Sequence, residues 1–182
     1  MDTLGVVESR SIAAGVELAD GMVKVAQVDL VRASTICSGR FLIFVAGDRA
    51  AVETAVGFAS DSGRALVGSF VISPVSPQVL AALKKAPAQS QGDALAVVEC
   101  RTVSAGVVAA DKAVKRADVQ VARFVAGQGI NGKSYFVLTG DVAAVREASL
   151  AARQSLNEQL LDLVIIPRPD PAVVRAVTNG VR

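Results

Sequence analysis

The 182-residue sequence has no histidine, no tryptophan and a single tyrosine. Without histidine there is no imidazole general base, no Ser-His-Asp or Cys-His arrangement and no imidazole metal ligand. Carboxylate or lysine chemistry remains possible, but the commonest catalytic side chain is absent. Cysteine is scarce too: Cys37 and Cys100 form no C-x-x-C pair, so reduced thiols in a soluble cytosolic protein are expected, and no metal site is assigned. No charge of one sign dominates. The net charge is +2, with no basic run, and no nucleic-acid partner is expected. Uninterrupted apolar stretches such as Phe41 to Ala46 are far too short to cross a bilayer, so no membrane partner is expected. The start, Met1-Asp2-Thr3, lacks the basic and apolar regions of a signal peptide.

Aliphatic residues fill the space left by these absences. The chain is 52% hydrophobic but only 4% aromatic, so Ala, Val, Leu and Ile must build the core. So much apolar surface on small domains favours burial against other subunits. The length suits one large domain or two of roughly 90 residues.

The sequence is one unit written twice. Residues 4–28 (LGVVESRSIAAGVELADGMVKVAQV) and 95–119 (LAVVECRTVSAGVVAADKAVKRADV) agree at 14 of 25 positions at an offset of 91. Glu8/Glu99, Arg10/Arg101, Gly15/Gly106, Asp20/Asp111 and Lys24/Lys115 are among the matches. The offset then becomes 93, with Gly39 and Gly47 matching Gly132 and Gly140, and finally 94, with Pro77 matching Pro171. The second copy therefore carries two extra residues just before Gly132.

Within the first copy, Leu4 to Glu8 reads as a buried strand. Ile12, Val16, Ala19, Val23 and Ala26 recur at helical spacing behind a capping Ser11. Val28 to Ala33 is a strand, Cys37-Ser38-Gly39 a turn and Phe41 to Ala46 a strand. Asp48 can cap a helix from about Arg49 to Ser60, which Gly63 ends. Leu66 to Ile72 is a fourth strand, and Pro77 opens a short helix with Val79, Leu80 and Leu83. The order strand-helix-strand-strand-helix-strand-short helix, with its middle hairpin, makes each copy a four-stranded antiparallel α+β domain. Lys84 to Asp93 (KKAPAQSQGD) is polar and reads as a linker. The expected domains are 1–86 and 92–182, joined by 87–91.

Gly127-Gln128-Gly129-Ile130-Asn131-Gly132-Lys133-Ser134 matches the phosphate-loop pattern G-x-x-x-x-G-K-[ST]. That pattern works only where a helix leaves the loop. Gly132 instead occupies the hairpin position of Gly39, and Tyr135-Phe136-Val137-Leu138 reads as a strand. Nucleotide binding through Lys133 and Ser134 is thus the alternative reading. A regulatory oligomer binding a small metabolite between subunits is another. Glu8 and Glu99 are equivalent carboxylates in separate copies and no catalytic pair; each can satisfy backbone donors before a helix.

The run LGVVES-x-SIAAGVELADGMVKVAQVDL, the SG-turn hairpin and the strand ending in GD before AAV occur, with variations, in both copies. Together they resemble the shell-protein domain of bacterial microcompartments, a ferredoxin-like variant, over nearly the whole chain. Two copies in unpermuted order resemble the tandem, trimer-forming class, and the loop GQGINGKS is similar to that of the propanediol-utilisation subclass. The resemblance implies a structural, non-enzymatic shell subunit in the cytoplasm. It implies partnership with itself as a homotrimer, with other shell proteins and with small polar metabolites crossing a central pore.

By position, the pore loops would be Cys37, Ser38 and Gly39 in the first copy, and Gly129, Ile130, Asn131, Gly132 and Ser134 in the second. Glycine suits convergence on a symmetry axis. Arg40 and Lys133 would flank the pore as positive charges favouring anionic or polar metabolites. Lys24, Lys115 and Arg168, the last in Pro167-Arg168-Pro169-Asp170, would lie on the tile edge, while the first copy has Pro74-Val75-Ser76-Pro77 there. Similar proteins hold an iron–sulfur cluster through cysteines. Ser134 stands where the resemblance places a thiolate, so no cofactor is expected. Three copies of Cys37 could approach the axis of such a trimer and bind a metal, but the favoured reading of Cys37, as of Cys100, is a small buried side chain.

Overall fold

A computed structural model describes residues 2–86 and 88–179. The chain falls into two compact units. The first runs to Val75 and includes Thr102–Ser104 and Gly127–Gly132; the second comprises Ser76–Arg101, Ala105–Ala126 and the chain from Lys133 onward.

In the first unit, strands β1 (Thr3–Ser9), β2 (Asp29–Ile36), β3 (Arg40–Gly47) and β4 (Leu66–Ile72) form an antiparallel sheet in the order β2-β3-β1-β4. Helices α1 (Ile12–Val25) and α2 (Arg49–Asp61) cover one face. Leu18 and Met22 of α1, and Val52, Val56 and Ala59 of α2, recur at three- and four-residue spacing and meet Val7, Ile43 and Val45 of the sheet. Ser11 caps α1 as expected, its Oγ accepting the Ala14 N–H at 3.4 Å. Asp48 occupies the N-cap position of α2 in extended conformation but makes no side-chain cap bond. Only its backbone carbonyl serves the helix, accepting from Val52 N–H.

In the second unit, α3 (Pro77–Leu83) precedes β5 (Ala94–Cys100), α4 (Val103–Arg116), β6 (Val119–Ala126), β7 (Ser134–Gly140), α5 (Val142–Leu156), β8 (Leu160–Pro167) and α6 (Pro171–Asn179). The sheet order, β6-β7-β5-β8, repeats the first unit. The duplication extends to backbone irregularities. Pairing shifts at Leu30/Arg32 and again at Val121/Arg123, and at Glu8/Ser9 and again at Glu99/Cys100. Equal register lets each residue of one copy be compared with its counterpart in the other.

The short helix that closes the first copy's sequence, α3, is counted in the second unit. There it packs on β6, where Gln78 Oε1 accepts the Val121 N–H at 3.1 Å and the Val79 and Ala82 side chains are buried. Lys84 to Asp93 has no helix or strand among its described residues.

Candidate functional site

The hairpin between β2 and β3 is a single 3-10 turn, Cys37–Gly39, in which Ser38 and Gly39 both have φ of 68°. The matching segment between β6 and β7 is longer. Gly127, Gly129, Asn131 and Gly132 all take positive φ, from 56° to 78°. The backbone at Gly132 accepts no side chain. Besides its φ of 73°, a Cβ there would come within 2.9 Å of the Cys37 carbonyl oxygen. At Gly127 a Cβ would strike the Ile36 side chain at 2.7 Å.

Residues 127–132 and the Cys37–Gly39 turn lie together in the first unit. Cys37 N–H donates to the Gly127 carbonyl at 3.2 Å, and Gly129 N–H donates to Cys37 Sγ at 3.2 Å. Ser38 Oγ donates to the Asn131 carbonyl at 3.1 Å and lies 2.6 Å from Asn131 Oδ1. So Cys37, Ser38, Gly129, Asn131 and Gly132 form one cluster, with Gly39 and Ile130 on the same two loops. Asn131, expected from the sequence in a pore loop, also ties the two loops together.

Ser134 is not part of this cluster. It opens β7, opposite Cys100, and is fully buried. The residue read as the place of a missing thiolate is an interior hydroxyl, and the thiol on the loops is Cys37, which is half-buried. Burial pushes the Cys100 thiol up to about 12, against a smaller lowering by the Ser134 hydroxyl. Among the described residues no group of three or more His, Cys, Asp or Glu side chains could hold a metal ion.

The same geometry removes the phosphate loop. Ser134 feeds a strand and not a helix, so no helix N-terminus faces the loop. Lys133 is also engaged, its Nζ bonding Glu99 Oε1 at 3.0 Å. Arg40 does the same in the first copy, its Nη1 lying 3.0 Å from Glu8 Oε1. Expected to flank the pore as positive charges, Arg40 and Lys133 are each matched by a carboxylate on the neighbouring strand. The sequence held the signal: cation and carboxylate are both repeated, at diagonal positions of paired strands.

The two pairs differ in their surroundings. Glu8 is fully buried. Its Oε2 accepts both the Ser104 N–H and the Ser104 Oγ–H at 3.0 Å, so the carboxylate has three partners. Glu99 remains 40% exposed. The backbone donor expected for Glu8 is thus present, but it comes from residue 104, a partner that the first copy's sequence alone cannot reveal.

Lys24 and Lys115 end α1 and α4, where the helix dipole favours them, and pair with Asp20 at 2.6 Å and Asp111 at 2.5 Å. Asp20 is exposed. Asp111 is buried and its Oδ1 also accepts the Ser76 N–H at 2.7 Å. Arg168 is exposed with φ of 49°, and its N–H bonds the Asp93 carbonyl at 2.7 Å.

Matched apolar positions are also unequal. Val16 of α1 is 54% exposed, while its counterpart Val107 is fully buried. Leu30 of β2 is 47% exposed and its counterpart Val121 is 1% exposed. No helix among the described residues is long and apolar enough to cross a membrane.

Comparison with known proteins places these features. The BMC-domain family model matches residues 3–75 and again 94–169. The chain is 37% identical to the bacterial microcompartment shell protein PduT of Citrobacter freundii, over 97% of this chain and 98% of that protein. It is 41% identical over 70 residues to the carboxysome shell protein CcmK2 of Thermosynechococcus vestitus, covering 38% of this chain and 69% of that one. The crystal structure of a microcompartment protein from Desulfitobacterium hafniense superimposes with a TM-score of 0.85 at 37% identity, covering 97% of this chain and 99% of that one.

Proposed function

Because the chain belongs to the BMC-domain family and is a structural, non-catalytic shell subunit of a bacterial microcompartment, we propose that three copies close head to tail into a pseudohexagonal tile with a central pore. The observation that carries this is the unequal burial of duplicated positions. Val107 and Val121 are buried, while Val16 and Leu30 are open. Positions repeated with the same chemistry need the same cover, and a head-to-tail ring supplies it from the next chain. Each exposed aliphatic side chain so covered contributes about 1 kcal/mol, half of a full burial.

The carboxylates support the same reading. Glu8 is completed by Ser104, whose counterpart at the offset of 91 is Ala13. In the ring, Ala13 of one chain stands to Glu99 of its neighbour as Ser104 stands to Glu8. The bond to the Ala13 backbone N–H is retained and the hydroxyl bond is lost. The pore is then lined by Cys37, Ser38, Gly39, Gly129, Ile130, Asn131 and Gly132. With Arg40 and Lys133 neutralised by Glu8 and Glu99, it presents backbone and hydroxyl groups to small polar metabolites. Lys24, Lys115 and Arg168 sit on the outer edge against other shell proteins. No cofactor is required for this role.

Light scattering after size exclusion tests the ring: a trimer mass is expected, and a monomer at micromolar concentration sinks the proposal. Oxidation of a Cys100→Ser chain with a copper catalyst tests the axis. Dimers linked through Cys37 are expected, and their absence from a trimer places that turn away from the axis. ATP is expected not to bind, with or without Lys133→Ala.

A further inference from the structure

The terminal helices of the two copies are used unequally. α3 seals β6: Gln78 Oε1 accepts the Val121 N–H, Ser76 N–H bonds Asp111, and Val79 and Ala82 are buried. β2 is the same strand of the other copy, with the same bulge, yet Leu30 and Val31 stand exposed. The sequence counterpart of α3 is α6, with Pro171 in the place of Pro77. At that offset of 94, Val173 and Ala176 correspond to the buried Val79 and Ala82. Both are exposed. The other side of α6 is occupied, since Val174 and Val177 rest against Leu95, Ala122 and Val137 of its own unit. The helix therefore has one seated face and one open apolar face, and the open face is the one whose counterpart is buried.

We infer that α6 of each chain docks through Val173 and Ala176 onto β2 of the next chain at Leu30, as α3 docks on β6 at Val121. The inference rests on the trimeric ring and names the element that latches it. A second copy of this chain is the occupant because the seat and the helix are both duplicates of a pair already joined in the second unit. The known pair also sets the register. Ala172 takes the place of Gln78 opposite Leu30, and the Asp170 N–H takes the place of the Ser76 N–H opposite Asp20, the counterpart of Asp111. Ala172 has no carboxamide, so the latch lacks the bond that Gln78 makes to Val121. It is consequently the weaker of the two seats and the place where a ring opens first.

The test keeps the full chain. In a Cys37→Ser background, Leu30→Cys and Val173→Cys are combined and treated with a short bis-maleimide. Chain-linked dimers and trimers on a denaturing gel are expected. Products that stay at monomer mass, from a protein that light scattering shows to be trimeric, overturn the inference and leave the ring standing. A monomer mass for the unmodified chain removes the ring itself. A second variant, Val173→Arg, changes an exposed side chain and leaves the fold of the chain alone. It is expected to raise the trimer dissociation constant by roughly tenfold or more, because a charge replaces an apolar contact. An unchanged constant overturns the inference.

Discussion

Glu8 and Glu99 are the same residue on the same strand of the same fold, yet one is sealed and the other is open. Glu8 has a guanidinium, a backbone N–H and a hydroxyl around it, while Glu99 shares a half-exposed ion pair with Lys133. The difference lies in what each copy receives from elsewhere, since the local letters are nearly identical. Residues 102–104 and 127–132 complete the first unit. The comparison teaches that burial in a duplicated chain is a property of the junction, and that the copy left open points to the junction still to be made.

The sharpest way to break the comparison is to remove each carboxylate. Glu8→Gln should cost the isolated chain about 3 kcal/mol, because an amide nitrogen replaces one of the two oxygens that accept from Arg40 and Ser104 and leaves buried donors unpaired. Glu99→Gln should cost under about 1 kcal/mol, as exposed pairs do. Urea unfolding of both variants checks this, and equal costs would show that the two sites are alike after all. Next in size, Val107→Ala should destabilise the chain by about 2 kcal/mol through loss of core packing. Val16→Ala should leave the monomer within about 0.5 kcal/mol and act only on assembly.

The loops give a second comparison. Gly132→Ala, with a positive φ and no room for a Cβ, should cost about 2 kcal/mol. Gly39→Ala, with positive φ but open space around it, should cost about 1 kcal/mol. A pH effect is expected at Cys100. Its thiol pKa in the folded chain is about 12 against an ordinary 9.0. A raised acid pKa means that the folded state holds the proton more tightly. The stabilisation is complete below pH 9 and is lost as pH rises from 9 towards 12. The loss amounts to about 1 kcal/mol at pH 10. It should vanish in Cys100→Ser. In iodoacetamide at pH 8, Cys37 should be labelled in the folded chain and Cys100 only after unfolding.

Much of the fold was legible because the sequence states it twice. Each ambiguous strand or helix had a second instance to check against, and the hairpin position of Gly39 decided how Gly132 and Ser134 should be read. What was not legible depends on contacts distant in sequence. The pairing of Arg40 with Glu8 and of Lys133 with Glu99 was missed because the strand register that brings them together is not written locally. Ser134 sits one residue inside the end of a hairpin, and that residue separates a loop hydroxyl from a core one. Asp48 carries the right side chain for a cap and leaves it unused. The destination of α3 was equally hidden, since a short amphipathic helix names its apolar face but not the surface that face will meet.

The two extra residues of the Gly127–Gly132 segment have a consequence for crowding. A ring built from six identical chains must accept any lengthening of its inner loop six times over, in the narrowest part of the assembly. In the ring proposed above, a tandem chain lengthens alternate loops only. Three short turns carrying Cys37 can then alternate with three glycine-rich ones. The volume at the axis becomes adjustable in half-steps, and the duplicated gene is what allows the finer adjustment.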